Sequence, residues 1–510
     1  MLAFRNSLTV ACAHAVIFVW PAWGDFDDWK HSGTVHVLTT PEGANLPAGA
    51  VVEHFPLLVR LHADFFDFSQ ARPDGADLRF ATAQGEPLPF EIDEWAPDRG
   101  VASVWVRMPR IEGNARQPLR IFWGKPDAPP ASDGKAVFNA SNGYAGVWHM
   151  TGPVADATST LESQDAGTTA ASGVVGMARH FPGGHGVSCG KDIGTLPTGS
   201  APHSTQAWLR PEKPNGVVVG WGNEERQGKV TMLFRSPPHI TMDCYFSAGN
   251  VDGTTDLGME RWIHVAHTFR DGQAWLYVNG ELDTEGPRGG TPLNVRRPAR
   301  LWLGGWYDNY SFVGDLDEVR ISNVERSAEW LRLEYENQKP LQTLVGPVVA
   351  AGDEFSVSAD RLDVDEGREA SVVARAGGGQ KMFWSVVRGG TETVVAVDRL
   401  RHTFAAGRVA GSVRGRLEIR PAGTPAGGGA AGAQPPAKPG RYGSGAHGAP
   451  GTQDAHGPRV RGDETAKRVT MKGSAISKTR TNPTMAVALE DKFDEVRQLI
   501  VIGKEKGYLL

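Results

Sequence analysis

The sequence predicts an all-β protein, with tandem antiparallel sandwiches followed by a disordered C-terminal tail. Three observations carry that expectation. Short apolar/polar alternating runs recur from Phe55 onward, broken by Pro, Gly and Asp. Tight hairpin signals, Asp271-Gly272 and Asn279-Gly280, bound one of the clearest runs. Near Pro421 the composition shifts to Gly, Ala and Pro with scattered bases. The chain has 510 residues, a formal net charge of -5 and 40% apolar residues. That describes ordinary globular material in several domains, and no charge bias points to nucleic acid.

The N-terminus has Arg5, an apolar run from Leu8 to Trp20 and small residues at Ala22 and Gly24. It reads as a secretory signal peptide over residues 1–24, which predicts an exported protein of the periplasm, outer surface or extracellular space. No later stretch approaches the length of an apolar membrane span, so no transmembrane segment is expected in the mature chain. Cys12 would leave with the signal, and Cys189 and Cys244 would remain. They are two buried thiols or a disulfide, and an oxidising compartment favours the bridge, worth about 4 kcal/mol by chain entropy.

Residues 25–130 hold five expected strands: Phe55–Leu61, Ala76–Phe80, Leu88–Trp95, Ala102–Pro109 and Leu119–Gly124. Their spacing argues an antiparallel sandwich. The ordered strings FPLLV, GADLRF, LPFEIDEW, VWVRMP and IFWG resemble the bacterial domain of unknown function DUF2341. The resemblance implies a fold and a partnership with a following LamG-like module. It also implies, as one alternative, an envelope role beside proton-channel components of the TolQ/ExbB type. Glu91, Asp93 and Glu94 invite general acid and base chemistry, with Glu91 and Asp93 on one strand face. Beside Trp95 and Arg107, however, they also suit a solvated sheet face, which is the preferred reading.

Residues 131–143 read as a polar linker. A second domain over 144–340 opens on Tyr144–Met150 and continues through Ala178–Gly184, Ser204–Pro211, Val217–Gly222, Arg261–Phe269 and Gln273–Glu281. In the strand Phe312–Ser322, alternation places Phe312, Gly314, Leu316, Glu318 and Arg320 on one face. Val313, Asp315, Asp317, Val319 and Ile321 take the other. Ser327 caps a helix whose Trp330, Leu331 and Tyr335 form an apolar stripe. The strings STQAWLRP, WIHVAHTF, AWLYVNG and GDLDEVRI, in this order, resemble LamG-like modules, the concanavalin A-like jelly rolls of exported bacterial proteins. Such folds host sugar binding, calcium binding, glycoside cleavage and adhesion, so the fold alone does not choose.

Exposed aromatics beside amides and acids are the expected sugar-binding residues. These are Trp306, Tyr307, Asn309 and Tyr310 in one loop, with Trp221, Asn223 and Glu224 near another strand end. Asn250, Asp252 and Asp256 cluster around a Gly turn and, with Asp308, are candidate calcium ligands; no other cofactor is implied. His264 and His267 face opposite sides of a strand and read as packing residues. Asp315 and Asp317 share a face, as a glycosidase pair would, but the Glu-x-Asp-x-x-Glu string of laminarinase-type relatives is missing from that strand, and no catalytic residue is assigned.

Residues 350–420 alternate like a small Ig-like sandwich, and 421–484 read as the disordered tail. Residues 485–510 read as an amphipathic helix, with Phe493, Val496, Leu499 and Ile500 on one side. This segment resembles the start of region 1.1 of primary sigma factors. Behind a secretion signal, it reads as a gene-model artefact and carries no transcriptional function. The expected function is non-catalytic recognition of a polysaccharide or surface glycan. The alternatives are an envelope structural protein and a glycoside hydrolase using Asp315 and Asp317.

Overall fold

The computed structural model describes residues 26–184, 186–191, 193–244, 250–287, 293–306, 310–352, 354–358, 363–365, 369–388, 391–405, 413–416, 420–421, 468–475, 485–491, 497–502 and 508–509. The chain divides into two units, residues 1–349 and 350–510. The expected signal peptide and most of the expected tail lie outside the described residues.

The first unit begins with strands β1 His31–Leu38, β2 Val51–His62, β3 Arg79–Thr82, β4 Pro87–Leu88, β5 Phe90–Ala96, β6 Val101–Glu112 and β7 Arg116–Trp123. They form two antiparallel sheets, ordered β1-β7-β3-β4 and β2-β6-β5. Val35, Val37, Leu57, Val59, Phe80, Val104, Val106, Leu119 and Ile121 fill the core. The five runs expected from the sequence all contain strand. β1, which precedes the first of them, covers the edge of β7.

A short helix, α1 Gly134–Val137, is capped by the Asp133 side chain and leads into the jelly roll. The jelly roll's strands are β8 Tyr144–Trp148, β9 Gln164–Asp165, β10 Thr169–Ser172, β11 Met177–Phe181, β12 Val187–Ser188, β13 His203–Pro211, β14 Gly216–Gly222 and β15 Lys229–Phe234. They continue with β16 Ile240–Asp243, β17 Val251–Asp252, β18 Ile263–Arg270, β19 Gln273–Val278, β20 Glu281–Pro287, β21 Arg300–Leu303 and β22 Gly314–Ser322. One sheet runs β10-β11-β22-β13-β18-β19-β20, with β8 also paired to β22; the other runs β17-β16-β15-β14-β21-β12-β9. Asp271, Gly272, Asn279 and Gly280 all adopt positive φ, as the hairpin reading requires.

The strand β22 departs from simple alternation. Its register against β13 shifts between the pairs Gln206↔Arg320 and Trp208↔Asp317, so an extra residue is accommodated. Glu318 sits there at φ 47°, a backbone position that usually takes Gly. The faces therefore correct the sequence expectation beyond the bulge. Phe312, Leu316, Val319 and Ile321 all enter the jelly-roll core, while Arg320 lies against Trp105 of the first sandwich.

Cys189 and Cys244 are buried thiols and are not joined to each other. They follow β12 and β16, strands separated in the sheet by β21, β14 and β15. Four strand spacings amount to roughly 19 Å, far beyond the reach of a disulfide. The expected bridge is corrected on that ground.

Helix α2 Ala328–Gln338 follows β22, with Ser327 Oγ accepting from the Trp330 amide at 3.3 Å. Trp330, Leu331 and Leu333 share a core with Phe55 and Leu57 of the first sandwich and with Trp208, Ala266 and Tyr277 of the jelly roll. Tyr335 stacks on Trp208 at 5.7 Å. Arg60 donates to the last carbonyls of α2, Asn337 at 2.8 Å and Gln338 at 2.6 Å, where a cation also complements the helix dipole. Asn337 replaces a missing strand partner for Leu58, accepting from its amide at 2.7 Å and donating to its carbonyl at 2.9 Å. The chain then returns along β1: the Leu38 amide donates to Leu344, and the Gly346 amide to His36. Residues 131–143 thus join two sandwiches that share one apolar core, which an independent-module reading does not anticipate.

The second unit contains antiparallel strand pairs, among them Glu369–Ala376 with Arg401–Ala405 and Lys381–Arg388 with Thr391–Val397. Three segments expected as tail or helix are strands instead: Arg468–Ala475, Met485–Asp491 and Arg497–Ile502, the last paired with Lys381–Arg388. Leu499-Ile500-Val501-Ile502 is a continuous, β-branched-rich run, which strand pairing accommodates better than a helix does. Phe493 and Val496 of the expected helix lie outside the described residues. Among the described residues, no helix is long and apolar enough to cross a membrane.

Candidate functional site

The two outer faces of the jelly roll carry the residues with chemical potential. On the seven-stranded sheet, β21 sends Leu301 and Leu303 into the core and Trp302 outward. In register across six strands stand Gln164, Ser188, Trp302, Gly220, Thr231 and Asp243. Residues directly opposite in an antiparallel ladder share a face, so this is one lateral row of amide, hydroxyl, indole, glycine, hydroxyl and carboxylate. At the β9–β12–β21 end the row is accessible, with Gln164 exposed and Ser188 and Trp302 part-exposed. Toward β15 it is covered, and Lys229 and Thr231 are buried.

Several expected sugar-binding residues take other roles. Trp221 is fully buried in the core, and its ring cannot meet a ligand. Trp306 is only 2% exposed. Its ring lies against Gly220, where an added Cβ would come within 2.8 Å of it. Its indole donates to Glu224, and Lys229 lies over the ring at 5.3 Å. Asn223 closes a turn, donating to the Arg296 carbonyl at 3.1 Å and accepting from Glu225 at 3.3 Å. Tyr310 stands open, at 62% exposure. Tyr307, Asp308 and Asn309 lie outside the described residues.

Of the expected calcium ligands, Asn250, Asp252 and Asp256 are each engaged in a separate hydrogen bond. Asn250 accepts from the Cys244 amide at 3.4 Å, Asp252 from Thr241 at 2.6 Å and Asp256 from the Gly258 amide at 2.9 Å. Each oxygen closes its own turn or strand end, and Asp252 and Asp256 join no three-residue metal cluster among the described residues. Short polar side chains commonly satisfy loop backbone in this way.

The eight-stranded sheet presents a buried ionic face to the first sandwich. His149, two residues beyond Val147 and on the same side, directs Nδ1 to Glu318 at 2.8 and 3.0 Å and Nε2 to Glu91 at 3.3 Å. Arg320 pairs with Glu318 at 2.6 Å and with Glu334 of α2 at 2.8 Å. The chain Glu91–His149–Glu318–Arg320–Glu334 therefore crosses from β5 through β8 and β22 to α2. Trp105 stacks on the His149 ring at 5.4 Å and lies beneath Arg320 at 4.5 Å. Burial opposes the charge of His149, but Glu318, Glu91 and Asp93 outweigh it and hold the imidazole pKa well above its ordinary value. Burial pushes Asp93 up to about 7, with Glu318 and Glu91 adding to the rise and His149 opposing it. Burial likewise raises Glu334.

A cavity of about 330 Å³ opens beside this network, lined by residues including Glu91, Asp93, Asp133, His149, Thr151 and Asp156. Asp156 is committed to loop structure, accepting from the amides of Val147, Thr158 and Thr160. The glycosidase candidates are not in the cavity lining. Asp315 accepts from His180 at 2.8 Å and from Arg210 at 2.7 Å, and Asp317 accepts from the amides of Val174 and Val175. His264 and His267 lie on opposite faces, as expected: His264 meets Trp208, and His267 meets His203. The sequence reading missed Trp302 and His149. The Leu-Trp-Leu alternation could have placed Trp302 outward, whereas the pairing of His149 with Glu318 depends on the bulge.

Residues 74–150 match the DUF2341 family, and residues 183–332 match the concanavalin A-like lectin/glucanases superfamily. A DUF2341 domain is followed by a concanavalin A-like one. No curated protein matches the chain. Among solved structures, it is similar to domain 4 of AbnA, an extracellular GH43 arabinanase from Geobacillus stearothermophilus in complex with arabinotriose, at 16% identity and TM-score 0.33. That match covers 37% of this chain and 97% of the other. It is also similar to the CBM40 of the Ruminococcus gnavus IT-sialidase bound to α2,3 sialyllactose, at 13% identity and TM-score 0.26, covering 34% and 98%. The SAP-like pentraxin of Limulus polyphemus matches at 16% identity and TM-score 0.26, covering 30% and 78%.

Proposed function

We propose that this is an exported, non-catalytic carbohydrate-binding protein that engages a polysaccharide or surface glycan on the outer face of the seven-stranded sheet. The observation that carries the reading is the lateral row centred on Trp302. Its registered neighbours, Ser188 and Gly220, are small; the Trp306 ring lies over Gly220 on one side, and Ser188 leads to the accessible end of the row on the other. An aromatic face stacks on the apolar face of a sugar ring, and flanking hydroxyl and amide groups fix the ring's hydroxyls. Gln164 and Ser188 supply those groups within about 10 Å of strand spacing. Tyr310 adds a second aromatic nearby, since its carbonyl accepts from the amide of Val217, a residue of the Trp302 cluster. Description as a concanavalin A-like lectin/glucanase fold supports the class of ligand.

The test is a glycan array and an insoluble-polysaccharide pull-down with the full chain, repeated with Trp302→Ala. Saturable binding to one glycan class, weakened by the substitution in a folded variant, is the expected outcome. Release of reducing ends from the bound polysaccharide would overturn the non-catalytic reading.

A further inference from the structure

We propose that the side-chain cluster at the edge of the cavity between the two sandwiches is a divalent-cation site of the zinc or manganese class, built from Asp93, His149 and Glu318 with Glu91 beside the imidazole. Ligand atoms of Asp93, His149 and Glu318 all lie within 4.8 Å of one another, so one ion can reach all three with small side-chain shifts. The donors come from three separate elements: β5, the residue after β8, and the bulge of β22. Glu91 stands two residues from Asp93 on β5 and approaches His149 Nε2 at 3.3 Å, the ring nitrogen opposite the one facing Glu318, where a carboxylate orients a ligating imidazole.

A second observation points to a ligand. Asp93 Oδ2 is buried beside the cavity with no donor in good hydrogen-bonding geometry, the nearby Thr151 hydroxyl being turned to the Met177 carbonyl. A buried carboxylate oxygen without a donor is costly, and a cation would satisfy it. Glu318 is fully buried and His149 is 9% exposed, so the cluster is open to solvent on the cavity side alone. The donor set also selects the ion. One imidazole with carboxylates and no thiolate suits zinc or manganese, whereas calcium prefers six to eight oxygens. Around it stand groups that would orient the ligands, since Arg320 holds Glu318 and Trp105 stacks on His149. Such an ion would join the DUF2341 sandwich to the jelly roll, and it is independent of glycan binding on the opposite sheet.

The experiment takes the full chain without a metal-affinity tag, strips it with chelator, and dialyses it against zinc, manganese or calcium separately. Metal content and thermal unfolding are then measured for the wild type, Asp93→Asn and His149→Gln. Asp93→Asn keeps the side-chain shape, so folding is not the variable. The expected result is one zinc or manganese per chain, a rise in Tm of several degrees on loading, and affinity at least about 100-fold weaker in both variants. A folded wild-type protein that binds neither ion and shows no Tm shift would overturn the proposal. So would binding of calcium alone, or metal retained undiminished in Asp93→Asn.

Discussion

The jelly roll has two sheets built from similar alternating strands, yet their outer faces differ in kind. The eight-stranded sheet turns Asp315, Asp317, Glu318 and Arg320 away from its core, and all four are buried. The seven-stranded sheet turns Trp302, Ser188 and Gln164 outward, and these remain accessible. Charge is thus concentrated on a covered face and part of the aromatic surface on an open one, the reverse of a simple solvent-exposure rule. The covering explains it. Helix α2 and the returning segment to Val349 place the first sandwich against the charged strand, where Glu318 meets His149 and Arg320, and Arg320 meets Glu334; Asp315 is paired by His180 and Arg210, and Asp317 is held by the amides of Val174 and Val175.

The contrast is testable first where the covered face is most heavily loaded. Arg320→Ala strands the buried carboxylates of Glu318 and Glu334, and the expected loss is about 3 to 5 kcal/mol in urea unfolding of the full chain. A loss near zero would mean that the face is solvated. Trp306→Ala is expected to cost about 3 kcal/mol, because its ring is packed and not presented to solvent. Asn337→Ala leaves the Leu58 amide and carbonyl without their partner and should cost about 2 kcal/mol. Unchanged stability would detach α2 from the first sandwich in solution.

A smaller effect concerns pH. Burial, with Arg320 adding, lowers His264 to about 3, so the folded protein keeps it neutral where the unfolded chain binds a proton. Its contribution is present above about pH 6.5 and is lost as the pH falls toward 3, reaching about 2 kcal/mol by pH 5. Between pH 7 and 5 the wild type should therefore lose about 2 kcal/mol more than His264→Phe. Equal losses in paired urea titrations would place His264 in contact with water.

Much of the fold was legible in the sequence because its strands alternate and its turns carry Gly, Asn and Asp at positions that need positive φ. Glu318 shows where legibility ends. A glutamate in a left-handed conformation leaves no local signature, and the bulge it creates moves Val319, Ile321 and Arg320 to faces that period-two counting reverses. Strand order was also hidden, which is why Cys189 and Cys244 looked able to meet. At the candidate site, Trp306 reads from its loop of aromatics and amides as exposed, but Gly220 provides a floor onto which that ring packs. Trp302, two residues into the preceding strand, was passed over because its strand otherwise reads as core.

The account turns on Trp302. Binding isotherms of the full-length wild type and Trp302→Ala, on the glycan that the wild type retains best, test it most directly. The predicted result is an affinity loss of about tenfold or more in a variant that remains folded. Undiminished glycan affinity in a folded Trp302→Ala variant would contradict it.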